Sequence, residues 1–147
     1  MFDDILHRMR NKIRAGDYVM TLHGDEELNA EELSVFDVER CVLLNSFGEM
    51  VMLNRSVGHN RKRKCDNCGK TGAIEKRITR IYGRGSDALV IENVPVIVCP
   101  HCGASYLEAK TLHEIERIKL HRKSFAKQKP LDVATFALQN AAASEKR

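Results

Sequence analysis

The chain has 147 residues, 43% of them hydrophobic, 30% charged and 5% aromatic, with no Trp. That length supports one ordinary domain or two very small ones, excludes a large two-layer enzyme with a regulatory domain, and calls for an aliphatic core. The net charge of +4 divides unevenly: residues 1–58 hold six Lys/Arg against eleven Asp/Glu (net −5), and residues 59–147 hold eighteen against nine (net +9), a step that predicts two modules.

In chain order, Met1-Phe2-Asp3-Asp4 is acidic and is not a basic region followed by an apolar run. The longest apolar stretch, Val94 to Cys99, is far too short to span a bilayer. Neither a signal peptide nor an anchor is therefore expected, and the cytosol is the expected compartment. Ile5, Leu6, Met9 and Ile13 recur at helical spacing and predict a helix over 3–15, closed by Gly16. A brief strand is expected over 17–22 and a short helix over 24–33. Ser34 reads as an N-cap for a helix running to Leu44, with Val35, Phe36, Val38, Val42 and Leu43 as its buried stripe and Cys41 as a small buried hydrophobe. Glu49 to Leu53 reads as one strand. Residues 59–64 form a basic linker. Lys70 to Tyr82 and Ala88 to Val98 have strand character around the turn-rich 83–87, and a helix is expected from Glu108 to Ala126. Pro130 ends that region, and 131–147 is a tail in which Leu131 to Ala143 is compatible with one more short helix. The fold class is α+β: a small helical N-terminal module with little sheet over 1–58, then an antiparallel hairpin and a C-terminal helix within 65–130.

The cysteines are the most informative residues. Cys65-Asp66-Asn67-Cys68-Gly69 and Cys99-Pro100-His101-Cys102-Gly103 repeat one pattern, thirty residues apart. In such a knuckle the chain turns so that backbone N–H groups face the first sulfur, and Gly relieves the tight turn after the second. Two knuckles supply four thiolates, the closed tetrahedral ligand set of a structural zinc site with no open position for water. One Zn²⁺ per chain is expected, bound by Cys65, Cys68, Cys99 and Cys102. Redox pairs, disulfides and iron are the alternatives that the same residues allow. His101 reads as a solvated knuckle residue, and so does His59. Arg61, Lys62, Arg63 and Lys64 run into the first ligand, where they either offset the excess negative charge of four thiolates or touch nucleic acid.

Residues 65–136 resemble the YgiT-type zinc finger of MqsA-like antitoxins. The resemblance rests on both C-x-x-C-G knuckles, the run Glu92-Asn93-Val94-Pro95-Val96-Ile97-Val98 into the second, and the helix from Tyr106 to Ile118. It implies a structural zinc and a surface that contacts a ribonuclease toxin. Residues 3–53 resemble the start of RelE-related toxin-like domains, through Ile13-Arg14-Ala15-Gly16-Asp17-Tyr18, Thr21-Leu22-His23 and Leu33-Ser34-Val35-Phe36-Asp37-Val38-Glu39. About one strand stands where that family continues into a sheet of several.

The expected function is a non-catalytic, zinc-binding, antitoxin-like protein acting by contact with a protein, either a toxin-like partner or a second copy of itself. Neither a membrane nor a small-molecule substrate is expected. One alternative is an RNA-cleaving module using His7, Arg8, Arg10, Arg14, Tyr18, His23 and Glu26, which supply the base, acid and cations that phosphodiester cleavage needs. The other is accessory nucleic-acid binding through Arg61, Lys62, Arg63, Lys64, Arg117, Lys119, Arg122 and Lys123.

Overall fold

A computed structural model describes residues 2–44 and 63–134. The class is α+β. Helix α1 (Phe2–Ala15), strand β1 (Val19–Thr21) and helices α2 (Leu22–Ala30) and α3 (Val35–Leu43) precede β2 (Arg63–Lys64), β3 (Thr71–Tyr82), β4 (Leu89–Val98) and β5 (Ser105–Glu108). Helices α4 (Ala109–Leu120) and α5 (Arg122–Phe125) follow. The five strands form one antiparallel sheet in the order β1-β5-β4-β3-β2. The expected strand at 49–53 lies outside the described residues.

Helices α2 and α3 begin where a side chain satisfies their free N–H groups. Thr21 caps α2 by accepting from the Gly24 N–H at 3.1 Å. Ser34 and Asp37 form a reciprocal capping box: the Asp37 N–H reaches Ser34 Oγ at 3.2 Å, and the Ser34 N–H reaches Asp37 Oδ2 at 2.9 Å. The Ser34 hydroxyl and N–H also hold the Asp37 carboxyl below its ordinary range. Ser34→Ala is expected to cost about 1 kcal/mol, read from urea unfolding. Because the Asp37 pKa is depressed in the folded state, its contribution is present at neutral pH and lost as pH falls through the folded value. A smaller deficit for Ser34→Ala in acid than at neutrality is therefore expected, and an equal deficit at both would contradict it.

The main hairpin carries an irregularity that sets the core. Ile78 pairs with Val94 but Arg80 pairs with Ile91, so β4 holds one extra residue, with Asn93 at φ 61°. Asn tolerates that left-handed conformation better than most residues. The bulge flips the alternation of β4. As a result Val94 and Val96 on one side of it, and Ile91 and Leu89 on the other, all enter the same cluster with Val35, Tyr82, Leu107, Leu112 and Ile115. Tyr18, Met20 and Leu22 from the N-terminal segment pack against it. The opposite parity supplies a second, smaller cluster at the knuckle end: Cys65, Ala73, Ile97, Cys99 and Tyr106, with Val19 and Ala104 against it.

Four local expectations change. Phe36, expected in the buried stripe of α3, is exposed and lies against the His113 ring. Cys41 is exposed as well. The helix expected to start at Glu108 is preceded by β5 and interrupted at His121, whose φ −107° and ψ 33° separate α4 from α5. Residues 131–134 have no regular structure, and the rest of the expected tail helix lies outside the described residues.

A buried ion pair and a half-buried hydrogen-bonded contact tie elements together. Arg80 of β3 meets Asp25 of α2 at 2.6 Å, and Tyr82 donates to the same carboxylate at 3.0 Å. Glu39 of α3 meets His113 of α4 at 2.6 Å and accepts from the Tyr18 hydroxyl at 2.5 Å. Among the described residues no helix is long and apolar enough to cross a membrane.

Candidate metal centre

Strand pairing brings the knuckles together. The Ile74↔Val98 pair fixes the open end of the hairpin, three residues after Thr71 and one before Cys99. Each knuckle then repeats the same bonds. The Cys65 N–H donates to Lys70 O and the Gly69 N–H to Cys65 O, both at 2.9 Å; the Cys99 N–H donates to Ala104 O at 2.9 Å and the Gly103 N–H to Cys99 O at 3.0 Å. Gly69 and Gly103 sit at φ +72° and +73°, a conformation that a side chain strains. Sequence spacing alone thus carried both the turn and its closing glycine.

The four sulfurs lie within 4.8 Å of one another. Cys65 Sγ is 3.8 Å from Cys102 Sγ, and Cys68 Sγ is 3.6 Å from Cys99 Sγ. Tetrahedral coordination at about 2.3 Å sets sulfurs about 3.8 Å apart, so the donor set fits a bound ion. A disulfide would require about 2.05 Å, and all four thiols are free. Cys65 and Cys99 are buried and Cys68 and Cys102 exposed, so the ion would sit at a surface with one wall in the second cluster.

The electrostatics call for a cation. Cys65 is held below the ordinary thiol range, chiefly by the Cys68 N–H and then by the Asn67 N–H. Cys102 is pulled down to about 6, first by the Asn67 side-chain amide and then by the Ala104 N–H. Cys68 also receives the Lys70 N–H, which favours its thiolate, but burial and the three neighbouring sulfurs win and push it up to about 11. Four crowded thiols do not all ionise without a counter-charge, and a bound divalent ion supplies it.

Asn67 and Tyr106 are the site residues that sequence spacing did not single out. Asn67 Nδ2 reaches across to Cys102 Sγ at 3.5 Å and so joins one knuckle to a ligand of the other. Its signal was a side-chain amide between the two cysteines of a knuckle. Tyr106, buried at the base of the site, accepts the Asp66 N–H at 3.3 Å. An Asn67→Ala variant is expected to bind metal about tenfold more weakly or worse. The loss should grow as pH falls from 8 to 6, since raising the Cys102 pKa lets protons compete. Competition against a chromophoric chelator measures this; an affinity unchanged at both pH values would contradict it.

The other candidate residues go elsewhere. Arg63 binds Glu108 at 2.5 Å and Glu75 at 3.5 Å. Arg117 pairs with Glu114 and covers the Phe125 ring, and Lys119 pairs with Glu116 at 2.8 Å. Arg122 donates to Asp87 O and Ala88 O. Lys64 and Lys123 are exposed, while Arg61, Lys62 and His59 lie outside the described residues. His101 is exposed with Nε2 3.1 Å from Thr71 O. Of the residues considered for RNA cleavage, Arg8 is exposed, Arg10 donates to Val42 O, Arg14 and His7 meet Asn11, Tyr18 meets Glu39, His23 faces Glu27 and Glu26 binds Arg80. None of these contacts joins two of the candidates.

No family model, curated protein or solved structure matches the chain.

Proposed function

We propose that the chain is a zinc-binding, non-catalytic, antitoxin-like protein that acts by contact with a protein partner. The observation that carries the metal half of this reading is the closed four-sulfur cluster, to which the first knuckle donates N–H groups and which, among the described residues, includes no oxygen or nitrogen ligand. Soft thiolates in tetrahedral array select zinc or iron over hard cations. A four-thiolate shell leaves no position for substrate, so the ion holds structure. The antitoxin half is supported by the doubled C-x-x-C-G pattern, the strand that leads into its second knuckle and the helix that comes after it. The partner proposed is a ribonuclease-type toxin.

Metal analysis of protein purified under reducing conditions should give one zinc per chain. Co-expression with the product of the adjacent reading frame should yield a stable complex and relieve any growth arrest which that product causes. Zinc present without complex or relief would leave the protein a zinc-binding chain and remove the antitoxin role. Iron in place of zinc would correct the metal.

A further inference from the structure

We propose that β5 makes the metal centre the anchor of the N-terminal strand: metal loading orders β1 and β5, while the helix-covered far half of the sheet holds without it. This rests on the four-thiolate reading of the site.

Strand pairing is distributed unevenly. β3 and β4 are long, pair through eight register positions and flank the larger cluster. β5 has four residues and meets β4 at two positions only, Ile97↔Tyr106 and Val98↔Ser105. β1 has three residues, and each of its register partners (Glu108, Leu107 and Tyr106) lies on β5. Strands this short are not stable without support from elsewhere.

For β5 one anchor is Leu107, fully buried in the larger cluster; at its other residues the support comes from the knuckles. The strand begins immediately after Ala104, whose carbonyl closes the second knuckle on the Cys99 N–H at 2.9 Å. Its Tyr106 hydroxyl takes the Asp66 N–H of the first knuckle at 3.3 Å. Tyr106 is thus held by both knuckles, by covalent continuity with one and a hydrogen bond from the other, and its backbone faces Thr21 of β1. Val19 of β1 packs into the same cluster as Cys65, Cys99 and Tyr106. With the metal gone, the knuckles have four mutually repelling or protonated thiols in place of a common ion, and Tyr106 loses the support that positions it.

The far half does not share this dependence. α2 is attached to β3 by the Arg80–Asp25 pair and by the Gly83 N–H to Asn29 Oδ1 at 3.1 Å, both remote from the cysteines in the sheet. Met20 and Leu22 have apolar partners in the larger cluster. Those contacts hold side chains, but the inter-strand bonds of β1 still run to β5.

Hydrogen exchange read by mass spectrometry on the full chain tests this, comparing zinc-loaded protein with the same protein stripped by chelator in the presence of reductant. Amides in 17–21 and 104–108 should exchange at least about tenfold faster after stripping, while those in 78–91 and 22–30 should change less than about threefold. Protection of 17–21 that survives while 65–70 and 99–104 open would overturn the coupling. Uniform opening of every segment would also overturn it, because the metal would then hold the whole fold. A Tyr106→Phe variant keeps the ring and removes the hydroxyl acceptor. It should keep the thiolate-to-cobalt charge-transfer band on Co²⁺ loading, yet exchange about threefold faster or more at 17–21. Unchanged exchange there would remove the hydroxyl as the link. Absence of that band in the unaltered protein, with no exchange difference at the knuckles, would sink the metal reading itself and the coupling with it, and this result is distinct from the others.

Discussion

Cys99→Ser should bring zinc content down to background and lower the thermal midpoint more than any other single substitution at the site. Cys99 is fully buried and Cys65 is 2% exposed, whereas Cys68 and Cys102 are exposed. Serine offers a protonated oxygen in place of a thiolate. At a buried position water does not take over the vacated ligand place, and the three remaining thiolates are left facing one another at close range. At Cys68 or Cys102 a water molecule reaches the ion, so three thiolates retain it more weakly. The expected order of damage is therefore Cys99 and Cys65 first, Cys102 and Cys68 second. The effect is large because the free energy of binding a structural metal appears as order in the segments that carry its ligands, here the two knuckles and the short strands attached to them. Metal analysis and a melting curve on each variant decide it. Full zinc occupancy in Cys99→Ser, or equal damage at all four positions, would contradict the geometry described above.

The second large effect is expected far from the cysteines, at Arg80. Its guanidinium is 12% exposed and the Asp25 carboxylate 9% exposed, with Tyr82 donating to the same oxygen. Arg80→Met removes the cation and leaves Asp25 charged in a site that water hardly reaches. Breaking a buried pair from one side costs about 3–5 kcal/mol. The pair itself need not be strongly stabilising, because desolvating both ions offsets much of their attraction, and Arg80 Nε has no hydrogen-bond partner among the described residues. The double variant Asp25→Leu, Arg80→Met should therefore be more stable than Arg80→Met alone. Urea unfolding of these two variants, of Asp25→Leu and of the unaltered chain gives the answer; additive losses would show that the two side chains act independently. Arg80→Lys should recover only part of the loss, since one ammonium does not reach both Asp25 and Glu26 with the fork of a guanidinium.

What the sequence disclosed, and what it hid, follows from how local each feature is. Helices α1 and α3 were legible because their apolar residues recur at helical spacing, and the Ser34 cap because its partner is three residues away. The four cysteines were legible as one cluster because the doubled knuckle needs no knowledge of the intervening thirty residues. β5 was not legible. Ser105-Tyr106-Leu107-Glu108 has no period of its own, and its strand form is imposed by partners at Val19–Thr21 and Ile97–Val98. Cys41 was misplaced because an apolar run conceals which side of a helix faces inward. Glu39 lies one position beyond Val38, on the inward side of the same helix, and only the fold shows that Tyr18 and His113 meet it there.

One edge of the sheet is formed by β1, which has three residues. An edge offers a template for cross-molecular pairing in proportion to its free length, and brief edges are one way in which proteins avoid polymerising. The ten-residue β4 and twelve-residue β3, with Ile74, Ile81 and Val90 exposed, are the segments that would propagate an aggregate. Loosening β1 and β5 uncovers one side of β4. Loss of the metal would then convert a self-limiting sheet into a sticky one. Turbidity of the stripped chain at high concentration, cleared by restoring zinc before fibres mature, is the macroscopic sign to expect.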